Sequence, residues 1–468
     1  MIHQIHNLVW GPILLGLLLF TGLFFTIRAQ GFQFWGIGIW WSSTVGSLFH
    51  REESNQIHNG HSSYNKPFAK TGSINKLQSA CTALAATIGT GNIVGVASAL
   101  TAGGPGAIFW MWVSAAIGMM TAYAETSLGI TYRYRDEEGK WICGPMVYLA
   151  RGLGSSGLSF LYGILCLLSS LGMGSMVQSN AAAQTVHYLT GAAPLLCAVV
   201  ITGLVVFVAW GGTDRVANVT QRLVPISAGI YILFSIVVLV KCQDQILPAF
   251  REIFECALVP QSMLGGIGGY GISRSFRYGI ARGVFSNEAG LGSLAGLHGA
   301  TEDTNPQEQG MWAMFEVFFD TIVICTLTAL VILCVTEGRQ GLYASPYDGA
   351  VLTSFCFQIV LGAAGQYLIS CSMIVFAFAT MIAWYYLGRQ TLECVIAQIQ
   401  RKIRISETVI QRIRTGYLVL YGYAVFLGCV SSLTTVWELS DIWNGLMAFP
   451  NILALLLLCK QIKFPVQT

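Results

Sequence analysis

Eleven stretches of about 20 mostly apolar residues run through this sequence of 468 residues and restrict what it can fold into. A helix needs roughly 20 such residues to cross the hydrocarbon core of a bilayer, where every unpaired backbone group is costly. Only 10% of the side chains are charged, whereas soluble proteins carry about 25%. We therefore predict an all-α polytopic membrane protein with about 11 transmembrane helices. The predicted spans are residues 8–27, 80–101, 107–131, 158–185, 194–213, 223–242, 268–298, 312–336, 358–388, 415–434 and 444–462.

Lysine and arginine are distributed unevenly between the connections of these spans. If the connections alternate sides, one side carries 19 of these residues and the other carries three. Giving Arg274, Arg277 and Arg282, early in the seventh span, to the poorer side leaves 19 against six. Cytoplasmic loops carry the positive excess, so we expect an extracellular N-terminus and a cytoplasmic C-terminus in the plasma membrane, the inner membrane of a bacterium. We interpret the first span as a retained helix rather than a signal peptide, since Arg28 follows it.

Composition also excludes several classes of site. A formal net charge of +3 provides no basic field that would hold nucleic acid. The 13 cysteines lie mostly in apolar runs without a C-x-x-C motif, which indicates neither a disulfide framework nor a zinc site. His58 and His61 lie in a polar loop without further ligands and predict no metal site. The stretch 32–49 has three tryptophans and several serines, which suits the membrane interface better than the bilayer core.

Glycine-rich sequence interrupts the middle of two spans. Each copy alone is compatible with close helix packing through small residues. A dinucleotide-binding fingerprint is excluded, because neither copy follows a strand. The two copies share the spacing G-x-G-x-x-x-G, at Gly89, Gly91 and Gly95 in the second span and at Gly290, Gly292 and Gly296 in the seventh.

The two interrupted spans occupy corresponding places in the chain. Without the first helix, the remaining ten divide into two groups of five, and each group begins with an interrupted helix. Paired broken helices of this kind indicate an inverted-repeat secondary transporter. We predict one five-helix repeat over residues 80–242 and a second, inverted repeat over residues 268–462. Residues 1–79 would hold the N-terminal helix, the interfacial segment and a polar cytoplasmic loop.

A broken helix frees carbonyl and N–H groups, which need partners within lipid. Carbonyls suit an ammonium group or a dehydrated alkali cation, and the positive end of a half-helix suits a carboxylate. Neither break contains Lys or Arg, so a carboxylate would depend on backbone N–H groups, the Thr90 hydroxyl and a co-bound cation. This favours a neutral amino acid. Ser286, Asn287 and Glu288 have an alternative interpretation as the N-cap of the helix that resumes after the break.

Four other side chains within the spans are candidates for function. Gln178 is either a substrate ligand or an interhelical hydrogen-bonding group. Trp384 either walls the pocket or packs between helices. Glu125 and Asp320 are candidates because acids within the membrane are usually functional, although pairing at the interface is the alternative for both.

In these motifs the chain resembles the alanine or glycine:cation symporter family, which has the leucine-transporter-type fold of the amino acid-polyamine-cation superfamily. The resemblance covers roughly residues 75–435. It implies uptake of alanine or glycine driven by sodium or, in some members, by protons, with one N-terminal helix and a five-plus-five core. The motifs are Gly89-Thr90-Gly91-Asn92-Ile93-Val94-Gly95-Val96, Gly103-Gly104-Pro105-Gly106-Ala107, Met176-Val177-Gln178, Arg282-Gly283-Val284-Phe285-Ser286-Asn287-Glu288-Ala289-Gly290 and Phe319-Asp320-Thr321.

The resemblance also implies which residues contact the substrate. The first break and Gln178 would hold the carboxylate, the Phe285 carbonyl and its two successors would meet the amine, and Trp384 would close over the side chain. The substrate contacts would be Thr90, Gly91, Asn92, Gln178, Phe285, Ser286, Asn287 and Trp384.

A cation site is implied in the same way. The fold's second sodium site maps to the carbonyls of Ala85 and Ile88 and to the Thr380 hydroxyl. Ala379 stands where the family commonly has a second hydroxyl, so sodium binding is expected to be weakened there. No cofactor is expected apart from sodium as a co-transported ion. The expected partners are the amino acid, sodium and membrane lipid, with no nucleic acid and no obligate protein partner.

Three other functions are alternatives to a sodium symporter: a proton-coupled carrier, a channel or amino-acid sensor, and an intramembrane enzyme. The enzyme is disfavoured because the sequence has neither H-E-x-x-H nor G-x-S-x-G and its intramembrane acids lie on different helices. We expect a non-enzymatic secondary active symporter that takes up a small neutral amino acid by alternating access.

Overall fold

The computed structural model describes the chain except for a few segments. His58 and His61 lie outside the described residues, so the interpretation of their loop stays a prediction. The structure describes residues 2–47, 76–136, 139, 141–258, 267–302, 304–401 and 403–465.

Nearly all of the described chain is helical. The α-helices are α1 (Ile2–Val9), α2 (Pro12–Arg28), α3 (Phe32–Trp35), α4 (Ile37–Trp41), α5 (Lys76–Thr87), α6 (Val96–Gly103), α7 (Gly106–Tyr132), α8 (Pro145–Arg151), α9 (Ser156–Leu171), α10 (Gln178–Thr190), α11 (Pro194–Trp210), α12 (Gly212–Lys241), α13 (Gln243–Leu258), α14 (Ile267–Asn287), α15 (Ser293–His298), α16 (Pro306–Val317), α17 (Thr326–Val335), α18 (Arg339–Ala344), α19 (Gly349–Gln400), α20 (Glu407–Val430) and α21 (Leu433–Leu457). The remaining elements are four π-helical segments (Ser42–Gly46, Gly91–Gly95, Gly172–Val177 and Phe318–Cys325), one 3-10 turn (Cys459–Gln461) and the antiparallel strands β1 (Tyr134–Arg135) and β2 (Trp141–Ile142).

The membrane-spanning pattern agrees with the expectation of about 11 helices. Nine helices in the described chain are long and apolar enough to cross a bilayer. The two predicted spans that are not among them are α11, which has only 17 residues, and the interrupted pair α14 and α15. The pair does not meet the length and apolarity expected of one continuous span, because the break divides it and because three arginines precede the break.

Two regions depart from the predicted spans in detail. The ninth span was predicted at residues 358–388, but α19 covers Gly349–Gln400 and leaves the helical conformation at Gly362, where φ is 68°. It therefore consists of two consecutive helices. In the expected interfacial segment, Trp40 is buried beside Phe318, with ring centroids 5.6 Å apart, whereas Trp41 is exposed.

The interrupted helices lie at the centre of the protein. In the most apolar window of residues 80–103, 89% of the residues are buried, against 39% for the span that contains α12. Every residue from 85 to 97 and from 282 to 301 is buried. α14 packs along α6 and α7, while α15 packs against α5, α7 and α19. Both broken helices therefore face other protein helices, as a central binding site requires.

Candidate functional site

The first interruption is short. α5 ends before Ile88 and Gly89, and the chain coils again from Thr90. The Gly89 N–H donates to Asn92 Oδ1 at 3.0 Å, and the Thr90 N–H donates to Gln178 Oε1 at 3.2 Å. Side-chain amides therefore supply acceptors that the missing helical turn would otherwise have supplied.

The second interruption is longer and has a different backbone conformation. It covers residues 288–292, between α14 and α15. The φ angle is positive at Glu288 (59°), Gly290 (96°) and Gly292 (85°). Glycine adopts this left-handed conformation readily, whereas it is unusual for other residues. The two glycines thus explain why the chain can turn here without regular hydrogen bonding.

The helix does not resume at Ser286, Asn287 and Glu288, so the N-cap interpretation of these residues is wrong. Ser286 and Asn287 are the last two residues of α14, and α15 begins only at Ser293. Asn287 Oδ1 accepts from the Ala289 N–H at 3.1 Å instead, which forms the first turn of the break.

Neighbouring helices satisfy the carbonyls that the second break frees. Asn451 Nδ2 of α21 donates to the Gly290 carbonyl at 3.0 Å. The Tyr162 hydroxyl of α9 donates to the Leu291 carbonyl at 2.9 Å. The second break is therefore held by two helices that lie far from it in the sequence.

The segment that follows the first break packs closely against the end of α14. A Cβ atom on Gly91 would lie 3.0 Å from the Cα of Ser286, so the two segments are as near to each other as glycine allows. A Cβ atom on Gly89 would lie 2.5 Å from Thr380 Oγ1 and 3.2 Å from Gln178 Oε1. The structure thus brings together residues that the sequence placed in one site from four separate segments.

Asp320 links the segment that follows the first break to the end of α14, which precedes the second break. Its Oδ1 accepts from Asn92 Nδ2 at 2.6 Å. Its Oδ2 accepts from the Ser286 hydroxyl at 2.8 Å and from the Thr321 hydroxyl at 2.9 Å. Thr321 in turn accepts from Asn287 Nδ2 at 3.0 Å. One carboxylate therefore organises polar side chains from the first break, the end of α14 and the π-helical segment that contains it.

Two intramembrane acids singled out from the sequence are enclosed by protein. Asp320 and Glu125 are both fully buried. Glu125 Oε1 accepts from Asn451 Nδ2 at 2.6 Å. Among the ion pairs in the described part of the chain, none includes either acid. The sequence signal for Asp320 was the motif around it, but its contacts with both breaks could not be read from that motif.

The expected cation ligands lie at the first break. The Thr380 hydroxyl of α19 donates to the Ala85 carbonyl at 2.7 Å. Ile88 is the first residue of the break, and like Ala85, Thr380 and Ala379 it is buried. The structure therefore brings Ala85 and Thr380 into direct contact beside Ile88.

Two polar groups at the first break differ in how they are satisfied. Gln178 accepts from the Thr90 N–H and donates through Nε2 to the Met173 carbonyl at 3.1 Å. It therefore links two helices, as one of its two interpretations expected. The Thr90 hydroxyl is buried and has no hydrogen-bond partner among the described residues. A buried polar group of this kind is costly unless a ligand or water completes it.

Trp384 and Phe285 supply aromatic walls near the breaks. Trp384 is fully buried, and its Nε1 donates to Glu288 Oε1 at 3.0 Å. Phe285 lies near the end of α14. Its ring packs at a tilt against Trp437, with ring centroids 4.5 Å apart. Trp437 also lies under the Arg282 guanidinium, 4.3 Å from the ring centroid.

Solved structures show the same architecture. The substrate-bound outward-open structure of a Na+-coupled sialic acid symporter has a TM-score of 0.53, with 12% sequence identity and coverage of 98% of both chains. At this identity the likeness concerns the fold alone. The fold is that of the leucine-transporter-type carriers, as predicted.

Sequence comparisons identify the family. The model of the sodium:alanine symporter family matches residues 1–467. The sodium/alanine symporter AgcS of Methanococcus maripaludis is 36% identical over 466 residues, which cover 98% of this chain and 94% of that protein. The amino-acid carrier protein AlsT of Bacillus subtilis is 33% identical over 393 residues, covering 84% and 79%. The chain therefore belongs to the sodium:alanine symporter family and is a cation-coupled amino-acid symporter, which confirms the resemblance seen in its motifs.

Proposed function

We propose that this protein imports alanine or glycine together with sodium by alternating access, through one site formed by the two breaks. The observation that carries the proposal is the buried Asp320 carboxylate, which contacts Asn92 beside the first break and Ser286 at the end of α14, and which takes part in no ion pair of the described chain. A buried carboxylate needs compensation for its charge. A co-transported cation would supply it at the place where both broken helices meet.

The substrate carboxylate is assigned to the first break. Thr90, Gly91 and Gln178 lie together there, and no Lys or Arg is part of the break. The unpartnered Thr90 hydroxyl is a ready donor for a carboxylate oxygen. Without a basic side chain, an anionic substrate would be held poorly, whereas a zwitterion brings its own ammonium group.

The substrate amine is assigned to the end of α14. The Phe285 carbonyl and the Ser286 and Asn287 side chains belong to this end, and Ser286 faces Gly91 across the site. Asn92, which joins the first break to Asp320, would connect the amino-acid site to the cation. Close packing of Gly91 against Ser286 favours substrates with few side-chain atoms.

Two oxygen clusters are candidates for the cation. One is centred on Asp320 with Asn92 and Thr321. The other consists of the Ala85 and Ile88 carbonyls with the Thr380 hydroxyl. Sodium prefers oxygen ligands, like other hard cations. Because each cluster joins a broken helix to another helix, cation binding would favour closure of the site.

Alternating access would move the broken helices relative to α19. The bond between Thr380 and Ala85 crosses this boundary and would have to exchange during the cycle. We place the N-terminus outside and the C-terminus in the cytoplasm. One positive charge that moves inward down the membrane potential gains about 2.3 kcal/mol per 100 mV. This gain would drive accumulation of the amino acid, and no covalent chemistry is required.

Uptake of labelled alanine by proteoliposomes tests the proposal. An inward sodium gradient should drive accumulation, and replacement of sodium by choline should abolish it. Accumulation that is independent of sodium and is abolished by a proton uncoupler would instead support a proton-coupled carrier. Counterflow exchange should be saturable, and its absence would contradict a carrier and favour a channel or a sensor.

A further inference from the structure

One face of α19 contacts both breaks. Thr380 and Trp384 are four residues apart and therefore lie on the same side of the helix. The Thr380 hydroxyl donates to Ala85 at the first break, and Trp384 Nε1 donates to Glu288 Oε1 at the second break. The proposed cycle uses the first contact, whereas the second has no role in it so far.

Packing fixes the base of the Trp384 side chain. A Cβ atom on Gly174 would collide with the Cβ of Trp384, so the two backbones are in close contact. The Tyr421 hydroxyl contacts the carbonyls of Gly174 and Met381, at 3.2 and 2.6 Å, which holds these two segments together. The indole ring also packs against Gly174, and the bond from its Nε1 to Glu288 joins its outer edge to the second break.

Glu288 is held in an unusual conformation to make this bond. Three non-glycine residues of the described chain have positive φ, and Glu288 is the buried one, since Gln30 and Glu337 are exposed. Such a conformation is strained, and it persists where surrounding contacts determine it. The bond from Trp384 Nε1 to Glu288 Oε1 is one of the contacts that hold the Glu288 side chain in this conformation.

We propose that Glu288 is a positioning residue that holds Trp384 over the substrate side chain and so restricts transport to the smallest neutral amino acids. This rests on the proposed function and on the role that the family resemblance implies for Trp384, which is to close over the substrate side chain. A larger side chain would have to displace the indole and break its bond to Glu288. Because Glu288 is the first residue of the second break, the size limit acts on the element that must move for the site to open.

Competition against labelled alanine in sodium-driven proteoliposomes tests the inference. Glu288→Ala and Trp384→Phe remove the same hydrogen bond from its two ends. Each should lower the selectivity for alanine over valine by roughly tenfold, the order expected for a change in an apolar pocket. The double variant should resemble Trp384→Phe, because Glu288 has no bond left to contribute once the indole N–H has been removed. Glu288→Gln keeps an acceptor oxygen and should restore most of the selectivity.

Matched controls separate this role from general damage. Trp112→Phe removes an indole bond of similar length, 2.8 Å to Thr326 Oγ1, away from the breaks, and should leave selectivity unchanged. Unchanged selectivity in Glu288→Ala, or additive effects in the double variant, would overturn the inference. If a variant transports too slowly, the shift in Tm caused by alanine and by valine gives the same ratio. Wild-type protein that accumulates no alanine would instead reject the proposed function.

Discussion

The two breaks satisfy their freed backbone groups in different ways. At the first break, the acceptors are the side-chain amides of Asn92 and Gln178, and the hydroxyl of Thr90 has no partner within the described part of the chain. At the second break, Tyr162 and Asn451 from distant helices satisfy the carbonyls. The first break is therefore built from groups that can exchange partners with a ligand, whereas the second is braced by the surrounding protein.

This difference suggests a division of labour. Changes at the first break should alter binding more than folding, since its polar groups are the proposed ligands. Changes at the brace of the second break should alter folding more than binding, since its partners lie outside the proposed site. Asp320 contacts Asn92 beside the first break and Ser286 at the end of α14, and we expect it to be the most sensitive position.

The largest effect is expected for Asp320→Asn. The substitution removes the negative charge that the proposed cation would compensate, and it weakens three hydrogen bonds to that carboxylate. Sodium-driven alanine uptake should therefore fall by about 100-fold or more. Initial rates in proteoliposomes measure this. The control is Glu255→Gln, an exposed carboxylate paired with Arg251, which should change the rate little. Near-normal uptake by Asp320→Asn would remove Asp320 from the mechanism.

Gly91→Ala should have the next largest effect. The new Cβ would lie 3.0 Å from Ser286 Cα and would push the segment after the first break away from the end of α14. Uptake should fall by about tenfold or more, the equivalent of a modest overpacking penalty. Gly203→Ala, on α11 with nothing within 4 Å, is the matched control and should transport normally. Equal rates for the two variants would show that the close approach of the breaks is not needed for transport.

Gln178→Ala tests the first break as a binding element. Loss of the acceptor for the Thr90 N–H and of a proposed substrate contact should raise the KM for alanine by about tenfold. Gln184→Ala, an amide on the same helix that donates to Asn180, should leave the KM unchanged. A normal KM in Gln178→Ala would contradict the assignment of this residue to the substrate.

Tyr162→Phe should have the smallest effect on transport, and it tests whether the second break serves folding rather than binding. It removes the donor to the Leu291 carbonyl, so the free energy of unfolding should fall by about 1 kcal/mol. The KM for alanine should not change. Thermal unfolding and uptake kinetics measure the two quantities separately. If the KM rose as much as in Gln178→Ala, the second break would be a binding element as well.

The sequence predicted the features that depend on local pattern. The interruptions at Gly89–Gly91 and around Gly290 could be identified because glycine-rich sequence within an apolar span is conspicuous. The meeting of the two breaks followed from their corresponding places in the two halves. The kink at Gly362 was missed because a single glycine within a long apolar run does not reveal its φ angle.

The contacts that depend on tertiary packing were not predictable. Asp320 stayed ambiguous because its partners, Asn92 and Ser286, lie 228 and 34 residues away in the sequence. The N-cap interpretation of Asn287 failed because an Asn side chain can satisfy a turn after a helix as well as the start of one. The bond between Trp384 and Glu288 likewise joins residues 96 positions apart.

Equilibrium binding of labelled alanine to the purified protein, measured as a function of sodium, tests the central claim most directly. If both ligands share the site formed by the two breaks, sodium should tighten alanine binding, and alanine should tighten sodium binding by the same factor. Asp320→Asn should abolish this coupling in both directions. An alanine Kd that is the same with and without sodium would contradict a shared site.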